Sequence, residues 1–82
     1  MSATETRVRA IVARVAKLDE RAVLGVSAEA DLFRELGVES TAALDLLLSL
    51  EEEFAVSIDD QQFGDARTVR ALTALVDRLV AA

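Results

Sequence analysis

The amino-acid sequence predicts an all-α fold, a small four-helix bundle of three main helices and one short helix with a long ordered first loop. Three stretches, at about 3–17, 40–54 and 68–80, repeat apolar residues at the 3.6-residue period of an α-helix. No proline interrupts them, and 82 residues are the length of one small domain. Because amphipathic helices bury their apolar stripes against one another, we expect residues 1–82 to form a single up-and-down bundle.

The first helix is predicted at about 3–17. Ser2 and Glu5 have the spacing of a capping box at its start. The apolar residues that follow share one helical face: Val8, Ile11, Val12, Val15 and Ala16. The next segment, 19–39, has no sustained period, and we predict an ordered loop there, with a short strand or helical turn as the alternative. Loops of that length in small domains are often functional or have their own packing.

The second long helix is predicted from Ser40 to Phe54, with Ser40 as its N-cap. One line of apolar residues makes a core face: Ala43, Leu46, Leu47, Leu50 and Phe54. Leu44 and Leu48 form a second line with Thr41, rotated away from the first, and we expect both leucines to be partly exposed. The remaining face is acidic.

The last part of the chain predicts a short helix at about 60–63, capped by Asp59 or Asp60 and ended by Gly64. A final helix at about 68–80 follows, capped by Thr68. Its apolar face consists of Val69, Leu72, Leu75, Val76 and Leu79. The residues expected to form the core are Val12, Phe33, Leu50, Phe54, Leu72 and Leu75.

The composition excludes several functional classes. There is no cysteine, hence no disulfide, no cysteine-based zinc site and no cysteine nucleophile. There is no histidine, so the usual general base and the commonest transition-metal ligand are missing, and no carboxylate spacing demands a metal. A net charge of −6 with phenylalanine as the only aromatic type argues against nucleic-acid binding. Without a signal peptide or a membrane-length apolar run, we expect a cytoplasmic protein that does not bind membranes.

Charge is unevenly distributed along the chain. Residues 23–65 carry one basic and eleven acidic side chains, a net charge of −10, whereas the two flanking segments are each +2. Such a field attracts basic partners to the middle of the chain. The alternative is that the acidic side chains serve solubility alone.

The motifs around Ser40 resemble those of the acyl carrier protein family, which includes the peptidyl carriers. "LGVES" at residues 36–40 resembles the Leu-Gly-x-Asp-Ser turn that opens the second long helix in that family. "DLFRELG" at 31–37 is similar to the approach to the serine in polyketide and nonribosomal carriers, and "LSLEEEF" at 48–54 to the helix end in fatty-acid carriers. Residues 58–60 and 68–69 have the family's spacing, so the resemblance covers nearly the whole chain.

The resemblance implies that Ser40 carries 4′-phosphopantetheine, transferred from coenzyme A by a Mg²⁺-dependent phosphopantetheinyl transferase. The cofactor thiol then holds acyl or aminoacyl groups as thioesters, so the chain is expected to be a carrier and not an enzyme. Further partners would be a loading ligase or transferase and downstream synthase enzymes with basic docking surfaces. We expect a monomer. The residues expected to contact partners are Glu39, Thr41, Leu44, Asp45, Leu48, Glu51 and Glu52.

Four residues depart from the family pattern. Glu39 replaces the usual aspartate, Thr41 stands where leucine or methionine is common, and Ala42 replaces an acidic residue of the fatty-acid carriers. Asp59 takes the place of a frequent proline. These departures indicate a specialised polyketide, nonribosomal-peptide or modified fatty-acid pathway. The composition suggests a GC-rich bacterial genome. Since the chain begins with Met1 and ends soon after the last predicted helix, we expect a free-standing protein, with an excised module as the alternative.

Two other interpretations remain at this stage. In the first, the chain is an unmodified helical interaction module that keeps the carrier fold, and Ser40 is an N-cap that contributes about 1 kcal/mol to its helix. In the second, it is a small enzyme, which the absence of a general base disfavours.

Overall fold

The computed structural model describes residues 1–82 and contains five α-helices. In chain order they are α1 (Ala3–Ala16), α2 (Glu20–Leu24), α3 (Ser40–Phe54), α4 (Asp60–Asp65) and α5 (Val69–Ala81). Helix α1 packs against α2, α3 and α5, which puts it at the centre of the bundle. There is no β-strand, only one isolated bridge between Asp31 and Thr68. The all-α prediction is confirmed. No helix is both long and apolar enough to cross a membrane.

The first connection contains a helix, so the prediction of an ordered loop without helix was wrong for residues 20–24. Asp19 caps α2 by accepting a hydrogen bond from the Arg21 backbone N–H at 2.8 Å, and Val23 is fully buried. Helix α2 has five residues, too few to show a helical period in the sequence. Likewise, Gly64 does not end α4, which continues to Asp65.

A buried arginine holds this first connection to α1. The side chain of Arg9 is in the core, with the residue only 3% exposed. Its Nη1 donates hydrogen bonds to the carbonyl oxygens of Val23 at 2.7 Å and Val26 at 2.6 Å. Its Nε donates to the Glu5 carboxylate at 3.0 Å. Only half of the expected capping box therefore forms: Ser2 accepts from the Glu5 N–H, but the Glu5 carboxylate binds Arg9.

Asp31 fixes the second half of the first connection to the start of α5. Its carboxylate accepts hydrogen bonds from the backbone N–H groups of Phe33 at 2.8 Å and Arg34 at 2.9 Å, and from Nε of Arg67 at 3.0 Å. The Arg34 N–H, followed by Arg67 and Phe33, lowers the pKa of Asp31 below its usual value, against an opposing contribution from desolvation. The charged form of Asp31 is thus the form that stabilises the fold.

The lowered pKa of Asp31 predicts an acid-dependent loss of stability. Since the folded state holds the carboxyl at a lower pKa than the unfolded chain does, its contribution is fully present above the usual aspartate value of about 4 and is lost as the pH falls through the folded-state pKa. We expect Asp31→Asn to unfold at lower urea concentration than wild type at pH 7, and the two midpoints to converge below pH 4. A constant difference in midpoint from pH 7 to pH 2 would contradict this.

The hydrophobic core joins α1, α3 and α5 with apolar side chains of the connections. Four of the residues expected to form this core are indeed buried: Val12, Leu50, Leu72 and Leu75. The same expectation was wrong for Phe33 and Phe54, which are only half-buried and pack against its edge. An arginine covers each ring, Arg67 at 4.7 Å from the centroid of Phe33 and Arg7 at 4.4 Å from that of Phe54. Rings at the core edge gain cation–π contacts there instead of complete burial.

Two long helices end in residues with a left-handed backbone. Lys17 after α1 has φ 58°, and Ala55 after α3 has φ 54°. A side chain in this conformation costs roughly 1–2 kcal/mol, whereas glycine adopts it freely but loses about 0.4–1 kcal/mol to the entropy of the unfolded chain. We therefore expect Ala55→Gly to raise the free energy of unfolding by about 0.5–1 kcal/mol in urea titrations. Ala55→Ser, which retains the Cβ, should give no such gain.

Candidate functional site

A short turn precedes α3 and determines where that helix begins. Gly37 has φ +71°, and a Cβ at this position would meet nothing within 4 Å, so the requirement for glycine is conformational and not steric. The next residue, Val38, is buried, and its N–H donates to the Leu32 carbonyl at 3.0 Å. This anchors the turn to the core. Glu39 then takes the extended backbone of an N-cap, with φ −77° and ψ 154°.

Ser40 is the first residue of α3 and not its N-cap, so the predicted capping role was wrong. The helix begins at Ser40, one residue earlier than it would if Ser40 were the cap, because Glu39 occupies the cap position. The Glu39 side chain makes no capping hydrogen bond either. Ser40 is exposed, and no side-chain hydrogen bond within the protein engages its hydroxyl. This hydroxyl is available to a reagent from solvent.

A cleft of about 360 Å³ lies beside Ser40, between the end of α1 and the start of α3. Its lining residues are Val15, Ala16, Lys17, Gly37, Glu39, Thr41 and Ala42. A second and smaller cleft, of about 170 Å³, lies between α4 and α5. The larger cleft was not foreseen from the sequence, because it forms only where two segments that are distant in the sequence, 15–17 and 37–42, meet.

The outer face of α3 presents apolar side chains to solvent. Leu44 is 62% exposed and Leu48 is 53% exposed, as the second apolar line of this helix predicted. Thr41 is also exposed, one turn before Leu44. In a domain of this size the two leucines form a small apolar surface without a partner within the chain.

The acidic residues of this region fall into two groups. Glu39 and Glu52 are exposed and form no ion pair, and Asp45 accepts only from the Ser49 hydroxyl at 3.2 Å. Glu51, by contrast, accepts a hydrogen bond from the Ile58 N–H at 2.8 Å and so holds the connection between α3 and α4. Sequence reasoning missed this structural contact of Glu51. Glu53 is paired with Arg7 at 2.7 Å. No cluster of three or more acidic residues is placed to hold a metal ion.

A family model described as "Phosphopantetheine attachment site" matches residues 6–76. The chain belongs to this family of carriers. An acyl carrier protein of Phaeodactylum tricornutum (strain CCAP 1055/1) is 33% identical over 73 residues, which cover 89% of this chain and 92% of that protein. The resemblance to acyl carrier proteins is confirmed. The cofactor of the carrier is 4′-phosphopantetheine, and the carrier bears this cofactor without being a catalyst itself.

Proposed function

We propose that residues 1–82 form one carrier domain whose Ser40 bears 4′-phosphopantetheine and presents an acyl or aminoacyl cargo to partner enzymes of a specialised pathway. The observation that carries the assignment of Ser40 is its exposed hydroxyl, which has no hydrogen-bond partner, at the start of α3. The residues fit the group: a neighbouring cleft of about 360 Å³ leaves room for it, and no core contact of Ser40 must break for the hydroxyl to react. We also propose that the carrier is a cytoplasmic monomer, as its resemblance to the family implies.

The attachment chemistry follows from the hydroxyl and from what the chain lacks. The Ser40 oxygen attacks the phosphorus of coenzyme A that bears pantetheine, a new O–P bond forms, and adenosine 3′,5′-bisphosphate leaves as the pyrophosphate P–O bond breaks. The hydroxyl proton must go to a base of the transferase, since the carrier has no histidine. The bound cofactor supplies a thiol for cargo, a group absent from a chain without cysteine.

The exposed face of α3 supports the proposed contact with partner enzymes. Leu44 and Leu48 supply an apolar centre, and the exposed carboxylates of Glu39, Asp45 and Glu52 carry negative charge on the same helix. A transient interface commonly combines an apolar centre with a polar rim, and rim charges act mainly on association rate and salt dependence. We also assign Thr41 and Glu51 to this surface. Glu51 binds the Ile58 N–H through Oε2, so we assign its other carboxylate oxygen, Oε1, to the partner contact.

The specialised pathway rests on the residues next to Ser40. Thr41 is smaller and more polar than the apolar residue common there, and Ala42 removes an acidic charge beside the attachment site. Both residues also line the cleft at the start of α3. A changed surface at this place would favour a dedicated set of partners over those of primary fatty-acid synthesis.

Modification in vitro tests the proposed attachment. The protein is incubated with coenzyme A, Mg²⁺ and a promiscuous phosphopantetheinyl transferase, and its intact mass is measured. We expect one phosphopantetheine addition per chain. Trypsin, which cleaves after Arg34 and Arg67, places the site in the peptide 35–67, and fragmentation of that peptide distinguishes Ser40 from Thr41, Ser49 and Ser57. Failure of several transferases to add any mass would favour an unmodified interaction module.

The proposed interface makes its own prediction. Leu44→Ser should leave the urea midpoint almost unchanged, because the leucine is largely exposed, yet lower kcat/KM of the transferase for the carrier. If Leu44 contributes about 1 kcal/mol to the interface, the loss is roughly fivefold. Val80→Ser, at another exposed apolar side chain near the end of α5, is the matched control and should not change kcat/KM. Equal effects of the two variants would contradict the assignment of α3 as the docking face.

A further inference from the structure

We propose that the cleft between α1 and α3 holds the pantetheine arm attached to Ser40, with Lys17 binding the phosphodiester. This inference rests on the proposed function, because it requires the arm to be attached at Ser40. It adds a binding site within the carrier and assigns a role to the end of α1, which belongs neither to the attachment turn nor to the exposed face of α3.

The position of the cleft favours the arm as its occupant. Glu39, Thr41 and Ala42, the residues on both sides of Ser40 in the sequence, all line it. Its volume of about 360 Å³ is in the range of small-molecule sites. The other cleft has less than half this volume and is lined only by residues of 62–78, none adjacent to Ser40 in the chain. A flexible group tethered at Ser40 therefore meets the larger cleft at a high effective concentration.

The side chains that line the cleft match the chemistry of the arm. Lys17 is the only cationic residue among them, it is exposed, and it forms no ion pair within the protein. Glu39, the only acidic residue, also has no ion pair. The arm offers one phosphodiester, a hydroxyl, two amides and a pair of methyl groups. A lysine can pair with the phosphodiester, Glu39 can accept from an amide N–H or the hydroxyl, and Val15 and Ala16 provide apolar contacts for the methyl groups.

Lys17 sits in a conformation that permits a matched pair of variants. Its backbone is left-handed, like that of Ala55 at the end of α3, and both positions follow the last residue of a long helix. Lys17→Gly and Ala55→Gly should therefore relieve the same backbone strain. Only Lys17→Gly removes a cleft side chain, so a difference between the two variants in the behaviour of the arm reports on Lys17 and not on helix-end stability.

The first measurement compares backbone amide shifts in ¹H–¹⁵N spectra before and after modification, with completeness of modification checked by intact mass. We expect the amides of Val15, Ala16 and Lys17 to shift, although they are more than twenty residues from Ser40 in the sequence. The amides of Ala71 and Ala74, which line the smaller cleft, should not. The shift changes at Val15 and Ala16 on modification should be smaller in Lys17→Gly and unchanged in Ala55→Gly. They should also decrease when the salt concentration rises from 0.05 to 0.5 M, because salt screens an ion pair.

The second measurement is the rate at which the cofactor thiol reacts with a neutral disulfide reagent. The carrier has no cysteine, so this thiol is the only one to react. If Lys17 holds the arm with the strength of a surface ion pair, Lys17→Gly should raise the rate about two- to fivefold over both wild type and Ala55→Gly, and Lys17→Arg should not.

The outcomes separate this inference from the proposed function. No mass increase would overturn both. A modified carrier whose Val15–Lys17 amides do not move, or move equally in both glycine variants, would overturn the cleft assignment alone. Shifts that instead concentrate at Ala71 and Ala74 would assign the arm to the smaller cleft.

Discussion

Ser40→Ala is expected to abolish phosphopantetheine addition altogether while leaving the fold intact. The substitution removes the oxygen that must form the new bond to phosphorus, so the loss is complete at any transferase concentration. The same side chain has no hydrogen-bond partner and is exposed, which limits the change in unfolding free energy to about 0.5 kcal/mol. If Ser40 capped α3, its replacement by alanine would instead lower the unfolding free energy by about 1 kcal/mol.

Intact mass and urea unfolding, measured on the same preparations, test both halves of this expectation. Ser49→Ala is the matched control, because Ser49 is on the same helix and bonds only to Asp45. It should be modified like wild type. Addition that persists in Ser40→Ala would move the attachment to another hydroxyl. A destabilisation of 1 kcal/mol or more in Ser40→Ala would show that the serine caps the helix in solution after all.

The long helices could be predicted because they bury long stripes, and long stripes leave a period in the sequence. Helix α1 contributes Val8, Ile11, Val12 and Val15 to the core along one face. Helix α2 could not be predicted in the same way, since its single buried residue, Val23, defines no period. The sequence contains only a local capping signal for this helix, Asp19. That signal is weak unless a periodic segment follows it.

The contacts that position the site were harder to predict because they join distant residues. The turn at Gly37 could be recognised from local sequence, because the positive φ that favours glycine there is a property of this one residue and not of distant contacts. The larger cleft could not, because it needs Lys17 and Thr41 to be brought together by packing. The half-burial of Phe33 also depends on a distant residue, Arg67, which covers its ring. A hydrophobic residue at the edge of a core looks in sequence like one at its centre.

Arg9 shows most directly where pattern reasoning fails. A charged residue within an amphipathic helix is normally assigned to the solvent face, since arginine is almost never fully buried unless it is paired. Here it is buried, and its partners are the carbonyl oxygens of Val23 and Val26 together with the Glu5 carboxylate. Those carbonyls belong to a connection whose path the sequence does not reveal. The prediction from sequence therefore missed this buried polar contact.

We expect Arg9→Ala to destabilise the carrier by about 3–5 kcal/mol, the cost typical of breaking a buried ion pair by removing one partner. Two mechanisms add to this loss. The substitution leaves the Val26 carbonyl without its donor and the Val23 carbonyl with only the weaker hydrogen bond from the Val26 N–H. A buried carbonyl that water does not reach costs roughly 1–3 kcal/mol, and the lost side chain also opens a cavity beside α1. For a domain of this size a loss of 3 kcal/mol lowers Tm by about 12–24 °C. Urea and thermal unfolding followed by circular dichroism measure both quantities.

Two further variants separate the mechanisms behind this loss. Arg14→Ala, in the same helix but exposed and without an ion pair, should change the unfolding free energy by less than about 0.5 kcal/mol. Arg9→Lys keeps the charge but replaces the planar guanidinium with a single ammonium group, which cannot reach Val23, Val26 and Glu5 at once. This variant should therefore retain only part of the stability. An Arg9→Ala variant within 1 kcal/mol of wild type would show that water replaces the guanidinium. Because Arg9 lies away from Ser40, its variants should lose modification only in proportion to the unfolded fraction, whereas Ser40→Ala loses it with the fold intact.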